Sequence, residues 1–133
     1  MTNTQLTQMA LSAILRCKEQ IDIFDLCYVL RGRSTQQIKQ NEFDKIKTFG
    51  AGKAYSRHQW LHMFIQMIQQ DFIDIDYKDL YHLKVTQKGH DVLKGKMEVA
   101  NLTIGCLTKA SRFYNLQNEY RSKRYNIESV RKD

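Results

Sequence analysis

Apolar residues recur every three or four positions through most of the chain as far as Gln70, and every second position just after it. In the first such stretch Leu6, Met9, Ala10, Ala13, Ile14 and Cys17 share one face. The spacing predicts a helix capped by Thr4 or Thr7 and running to about Lys18. A second helix is expected from Asp22, with Ile23, Leu26, Cys27 and Leu30 inward and Gly32 just past its end. Ser34 or Thr35 can cap a third, running to about Lys47, with Ile38, Phe43 and Ile46 inside and Lys39 and Lys45 outside. The fourth is the most periodic: Ser56 with Gln59 three residues on forms a capping-box pattern. Trp60, Leu61, Phe64, Ile65, Met67 and Ile68 then make a wide apolar stripe to about Gln70, opposite a nearly uncharged stripe of His58, His62, Gln66 and Gln69.

Beyond Asp71 the period becomes two. Phe72 to Asp76 and Tyr81 to Val85 alternate around a Tyr77-Lys78-Asp79-Leu80 turn, which predicts a hairpin whose Ile73, Ile75, Leu83 and Val85 pack on the fourth helix. Thr86 can cap a short helix, and Met97 to Thr103 is expected to return as a strand. Three helices in a helix-turn-helix arrangement followed by a two-stranded hairpin make a winged helix, mainly α with a small β-hairpin. It is expected over residues 1–103. Residues 104–133 are expected to form a basic C-terminal tail or linker, with a helix around Ala110 to Tyr120.

Length and apolar fraction fit one domain plus that tail, since 133 residues leave little room for a second core. The charge is informative: +7 overall, with seven cations between Leu30 and Gln70 (Arg31, Arg33, Lys39, Lys45, Lys47, Lys53, Arg57) against Glu42 and Asp44 alone. Such a surplus favours an acidic partner, nucleic acid or an anionic surface. Within the segment, Gly50-Ala51-Gly52-Lys53 leads into the fourth helix, placing a lysine beside helix N-terminal amides, an arrangement suited to a phosphate oxygen. Cys17, Cys27 and Cys106 are odd in number and form no C-x-x-C pair, which favours reduced core thiols and a cytoplasmic compartment. No signal-peptide pattern opens the chain and no apolar run reaches membrane-spanning length, so no membrane partner is expected.

The succession DLCYVLRGRSTQQIKQ, FDKIKTFGAGKAYSRHQW, FIQMIQQDFIDID and LKVTQKGHDVLKG closely resembles the winged-helix part of the RecQ C-terminal (RQC) domain of RecQ-family ATP-dependent DNA helicases. The resemblance spans roughly Leu11 to Thr103 and rests most on Val29-Leu30-Arg31-Gly32, Phe49-Gly50-Ala51-Gly52-Lys53, Trp60 and Leu93-Lys94-Gly95. It implies binding of duplex or fork DNA, phosphate contacts from Arg31, Arg33, Ser34, Lys53, Ser56 and Arg57, and a wing tip of Tyr77, Lys78, Leu80 and Tyr81. It also implies a larger parent chain, with helicase lobes using ATP and Mg and a four-cysteine Zn module. Such a parent acts in unwinding, replication, recombination and repair, in a bacterial nucleoid in preference to a nucleus. This segment has no catalytic or cofactor site of its own: Gly52-Lys53 is followed by Ala54, and Lys47 stands where a phosphate-binding G-x-x-x-x-G-K-[ST] loop needs its first glycine.

Blander readings compete at several residues. His58 and His62 in HQWLH have metalloprotease spacing, but Gln59 replaces the glutamate base and no third ligand follows, so a solvent-facing pair and no metal are expected. Trp60 is expected in the core and not on a base. Tyr77 and Tyr81 flank a turn and can stack on a terminal base pair. Asp74, Asp76 and Asp79 oppose only Lys78, which repels phosphate and predicts a minor strand-prying role. A protein-interaction module and a sequence-specific regulator are the alternative functions. For the regulator, Gln66 and Gln69 are the base readers on the fourth helix.

Overall fold

The computed structural model describes residues 1–105, so Cys106 and the expected tail helix at 110–120 lie outside the described residues. In chain order the elements are α1 (Asn3–Arg16), α2 (Ile23–Arg31), α3 (Gln36–Gln40), a 3-10 turn (Phe43–Lys45), α4 (Arg57–Gln69), β1 (Ile73–Asp76), β2 (His82–Val85) and α5 (Gln87–Leu93). This is the mainly helical winged helix expected. The helix starts follow side-chain chemistry. Asp22 accepts the amides of Phe24 and Asp25, Thr35 that of Ile38, and Thr86 that of Gly89, while Ser56 and Gln59 form the reciprocal capping box of α4.

Two helices differ from the sequence expectation. The cap of α1 is Thr2, in a capping box with Gln5. Thr4 and Thr7 are spent elsewhere, Thr4 accepting the amide of Val99 and Thr7 donating to the Asn3 carbonyl inside the helix. The third helix stops at Gln40 instead of reaching Lys47. Glu42 takes a left-handed φ of 61°, which no helix interior tolerates, and the chain resumes as one 3-10 turn that tucks Phe43 into the core.

The core runs between α1, α2 and α4 and is centred on Trp60, Phe64, Leu6, Leu11, Ile14, Leu26 and Leu30, all buried. Met63, an addition to the α4 stripe, is fully buried as well. Antiparallel β1 and β2 pair Ile73 with Val85 and Ile75 with Leu83, in the register that puts those four on one face. The hairpin is shared between helices: β1 packs on α4, and β2 packs on α1 and α5. The outer edge of β2 is closed by the α1–α2 link, where Leu83 N–H donates to the Ile21 carbonyl at 2.8 Å. Val85 N–H donates to the Glu19 carboxylate, also at 2.8 Å.

The strand expected over Met97 to Thr103 does not form, and residues 98–105 carry no regular secondary structure. Val99 and Leu102 are buried, but the segment adds no strand to the two-stranded sheet. The segment lies along α4, and side chains satisfy its backbone.

Candidate nucleic-acid interface

Two basic loops that are distant in sequence are fastened together. The end of α2 leads through Gly32 (φ 74°) into Arg33 and Ser34, while the loop before α4 runs through Gly50 (φ 78°), Gly52 and Lys53. Gly50 N–H donates to the Val29 carbonyl and Gly52 N–H to the Leu30 carbonyl, both at 2.8 Å. Both acceptors lie in the last turn of α2, where the Val29 carbonyl also takes the Gly32 N–H at 3.1 Å, so the second loop helps cap the helix that bears the first. A Cβ on Gly32 would lie 3.1 Å from the Gly50 Cα, so the left-handed glycines permit both the turns and the close approach.

Trp60 supports this pair of loops from below. Its ring is fully buried, stacks on Phe64 (centroids 5.4 Å), meets the edge of Tyr55 (5.6 Å), and donates Nε1–H to the Gly52 carbonyl at 2.8 Å. The expectation of a core tryptophan holds, and its polar end also positions the glycine turn. A Cβ on Gly52 would meet the indole at 2.4 Å, so only glycine passes there without displacing one or the other.

Around this clamp stand the sequence-predicted cations. Arg33, Ser34 and Lys53 are exposed, and Arg31 and Arg57 are half-exposed. The charges of Arg57 and Arg31 act to lower the buried Cys27 thiol, against those of Asp22 and Asp25. Burial nonetheless pushes Cys27 up, and pushes Cys17 up to about 12; both are free thiols in the core. Ser56 is exposed but committed, its Oγ accepting from Gln59 N–H at 3.2 Å and its N–H donating to Gln59 Oε1 at 2.8 Å. The amides of Arg57 and His58 lie outside that capping box, at the positive end of the α4 dipole in the turn that follows Lys53 in the chain.

The wing differs from the sequence picture in two respects. Asp79 does not oppose Lys78 alone: Lys84 Nζ donates to its Oδ2 at 2.9 Å and His82 Nδ1 lies 3.4 Å away. The Lys84 hydrogen bond holds the Asp79 carboxyl below its ordinary value. The two tyrosines are also unequal. Tyr77 is 64% exposed, whereas Tyr81 packs against the core with a φ of 60°, and the rings meet edge to face at 5.5 Å. Lys78 is exposed, and Leu80 is half-buried with φ 57°.

The polar stripe of α4 is covered over part of its length. Gln66 Nε2 donates to the Thr103 carbonyl at 2.7 Å while its Oε1 accepts from Thr103 N–H at 2.8 Å. Gln70 Nε2 donates to the Asn101 carbonyl at 2.8 Å, and His62 Nδ1 lies 3.2 Å from the Gly105 carbonyl. The histidine pair is therefore not solvent-facing: His58 is exposed, but His62 is half-buried beneath residue 105. Gln66, a base reader only in the alternative reading as a sequence-specific regulator, is engaged within the molecule. Among the described residues no group of three or more His, Cys, Asp or Glu could hold a metal, and no helix is long and apolar enough to cross a membrane.

Comparison with known proteins places this arrangement. The family profile described as "RQC domain" matches residues 3–103. The ATP-dependent DNA helicase RecQ of Bacillus subtilis (strain 168) is 33% identical over 97 residues, covering 73% of this chain and 16% of that protein. The protein of the same name from Pasteurella multocida (strain Pm70) is 28% identical over 94 residues, covering 70% of this chain and 15% of its own. The chain thus spans about a sixth of the length of these relatives.

Proposed function

The chain belongs to the RQC domain family, and from that premise we propose that it is the DNA-binding module of a RecQ-type helicase, gripping duplex or fork DNA through its phosphates. The observation that carries this reading is the clamp between the two basic loops. It joins Arg31, Arg33 and Ser34 to Lys53, Ser56 and Arg57 through two main-chain hydrogen bonds and a glycine contact. Cations on a braced loop pair lose little freedom on meeting a phosphate, and the α4 dipole adds to the attraction. Base discrimination is not expected, because these groups sit on loops and the middle of α4 is covered.

In this reading ATP, Mg and a Zn module belong to other parts of a parent chain. Unwinding in replication, recombination and repair is the task the module serves there, in the bacterial cytoplasm. The reading is tested by titrating the full chain with several unrelated duplexes across a salt series. Affinity should fall steeply with salt and vary little with sequence, and Lys53→Ala should weaken every duplex alike while lowering the salt slope by about one. Salt-independent affinity would instead favour a protein partner. A strong preference for one duplex that survives the substitution would favour a sequence-specific regulator.

A further inference from the structure

The contact between α4 and residues 101–105 has a regular geometry. Gln70 meets residue 101, Gln66 meets residue 103 and His62 meets residue 105. The extended segment runs antiparallel to the helix, two of its residues for every four of α4. The match is physical: two extended residues span about 6.8 Å and four helical residues about 6.0 Å. Val99 and Leu102, both buried, anchor the segment, and the amide of Val99 is held by Thr4 Oγ1 at 2.9 Å. Only the odd-numbered residues offer their carbonyls to α4, as expected of a strand laid edge-on against a helix.

The chemistry at Gln66 gives the contact its meaning. Along one edge a glutamine amide presents an N–H donor and its carbonyl acceptor side by side, and here that edge meets a single residue, the carbonyl and N–H of Thr103, while Nε2 also donates to the His62 carbonyl at 3.3 Å. The edge of adenine in the major groove offers the same pair, an N6–H donor and an N7 acceptor, and glutamine recognises it in this bidentate manner. We infer that residues 101–105 are an intramolecular plug on the base-reading face of α4, the Thr103 peptide occupying on Gln66 the place an adenine edge would take. With the plug seated the module binds phosphates without regard to sequence. With it displaced, α4 acquires a preference for adenine.

This inference rests on DNA being the ligand, and the test separates the two. Two A·T-rich duplexes are compared, one with adenine and one with 7-deazaadenine, which lacks the N7 acceptor. The full chain should bind both equally. Thr103→Pro, which deletes the N–H given to Gln66, should bind the adenine duplex roughly tenfold more tightly than its deaza counterpart. Adding Gln66→Ala should abolish that difference. Hydrogen exchange of the Gln66 side-chain amide should be slow in the parent chain and fast in Thr103→Pro.

Several outcomes would overturn the plug. They are discrimination already present in the unaltered chain, a Gln66 amide that stays protected in Thr103→Pro, or fast exchange without any discrimination. Leu102→Ala, which removes a buried anchor and leaves every polar group in place, should discriminate in the same direction; equal binding with the segment released counts against the plug as well. Failure of every form to bind either duplex would sink the DNA-binding reading itself, and the plug with it.

Discussion

Gly52→Ala places a methyl group 2.4 Å from Trp60 Cζ2, 2.8 Å from Cε2 and 2.9 Å from Nε1. Carbon atoms rest about 3.5–4.0 Å apart, so the closest contact falls short by more than about 1 Å. The indole has no room to retreat, being fully buried and packed on Phe64 and Tyr55. The loop must lift instead, which strains the bonds from Trp60 Nε1 to the Gly52 carbonyl and from Gly52 N–H to the Leu30 carbonyl. Overpacking of this kind costs about 1–3 kcal/mol, and each weakened hydrogen bond about 1 kcal/mol. A loss of about 2–5 kcal/mol is expected, on the order of 6–30 °C in Tm for a domain of this size. Trp60 is the chain's one tryptophan, so urea unfolding followed by its fluorescence reports on the site directly. Duplex affinity, measured where the variant is still folded, should fall as well, because Lys53 and the α4 terminus ride on the lifted loop. Lys53→Ala, at an exposed position, should weaken binding while leaving stability within about 0.5 kcal/mol. If Gly52→Ala matched the parent chain in both urea midpoint and affinity, the clamp would not be what positions the cations.

Other expectations concern the wing and the thiols. Asp79 has a depressed folded-state pKa, so its contribution is present above the ordinary value of 3.8 and lost as pH falls through the lower folded value. Lys84→Met, which also removes the bond from Lys84 Nζ to the Glu19 carbonyl, should therefore lower the stability plateau above about pH 4 and flatten the acid limb below it, as urea unfolding across a pH series would show. Tyr81→Ala, at a half-buried position, should lower Tm, whereas Tyr77→Ala should change stability by less than about 0.5 kcal/mol. In a full-length parent helicase either is expected to slow unwinding only a few-fold, as read by a strand-displacement assay. Cys17 and Cys27 should resist a thiol reagent at about pH 8 until the chain is unfolded, as peptide mapping of the labelled sites would show.

Much of this architecture is legible in the chain because it is local. A carboxylate or hydroxyl at Asp22, Thr35, Ser56 and Thr86 announces each helix start within three residues, and the shift of period after Asp71 announces the hairpin. Thr2 with Gln5 carries the same signal as Ser56 with Gln59, so the true start of α1 was readable and was outweighed by the apolar periodicity beginning at Leu6. The break after Gln40 was harder to read, since nothing in the composition of Asn41 and Glu42 demands a left-handed residue. What the sequence could not convey are contacts between distant positions. The meeting of Gly32 with Gly50, the bond from Trp60 to Gly52 and the covering of Gln66 by Thr103 depend on how elements pack, and neither period nor capping residue encodes them. The cations of the candidate interface were legible one by one, and the clamp that holds their loops together was not.

The closure of β2 by Glu19 bears on how the protein behaves in company. An open strand edge invites another chain to continue the ladder, because each unpaired peptide supplies a donor and an acceptor in alternation. At Val85 the neighbour is a carboxylate, which accepts a hydrogen bond and has no N–H to pass on. On the opposite strand Asp74 does the same for the Ile75 amide at 3.0 Å. Each edge of the hairpin thus has an amide taken by a side-chain carboxylate, which accepts and propagates nothing, and on β2 the Ile21 carbonyl takes a second one. A sheet of only two strands can exist on these terms in a crowded solution without recruiting strands from its neighbours.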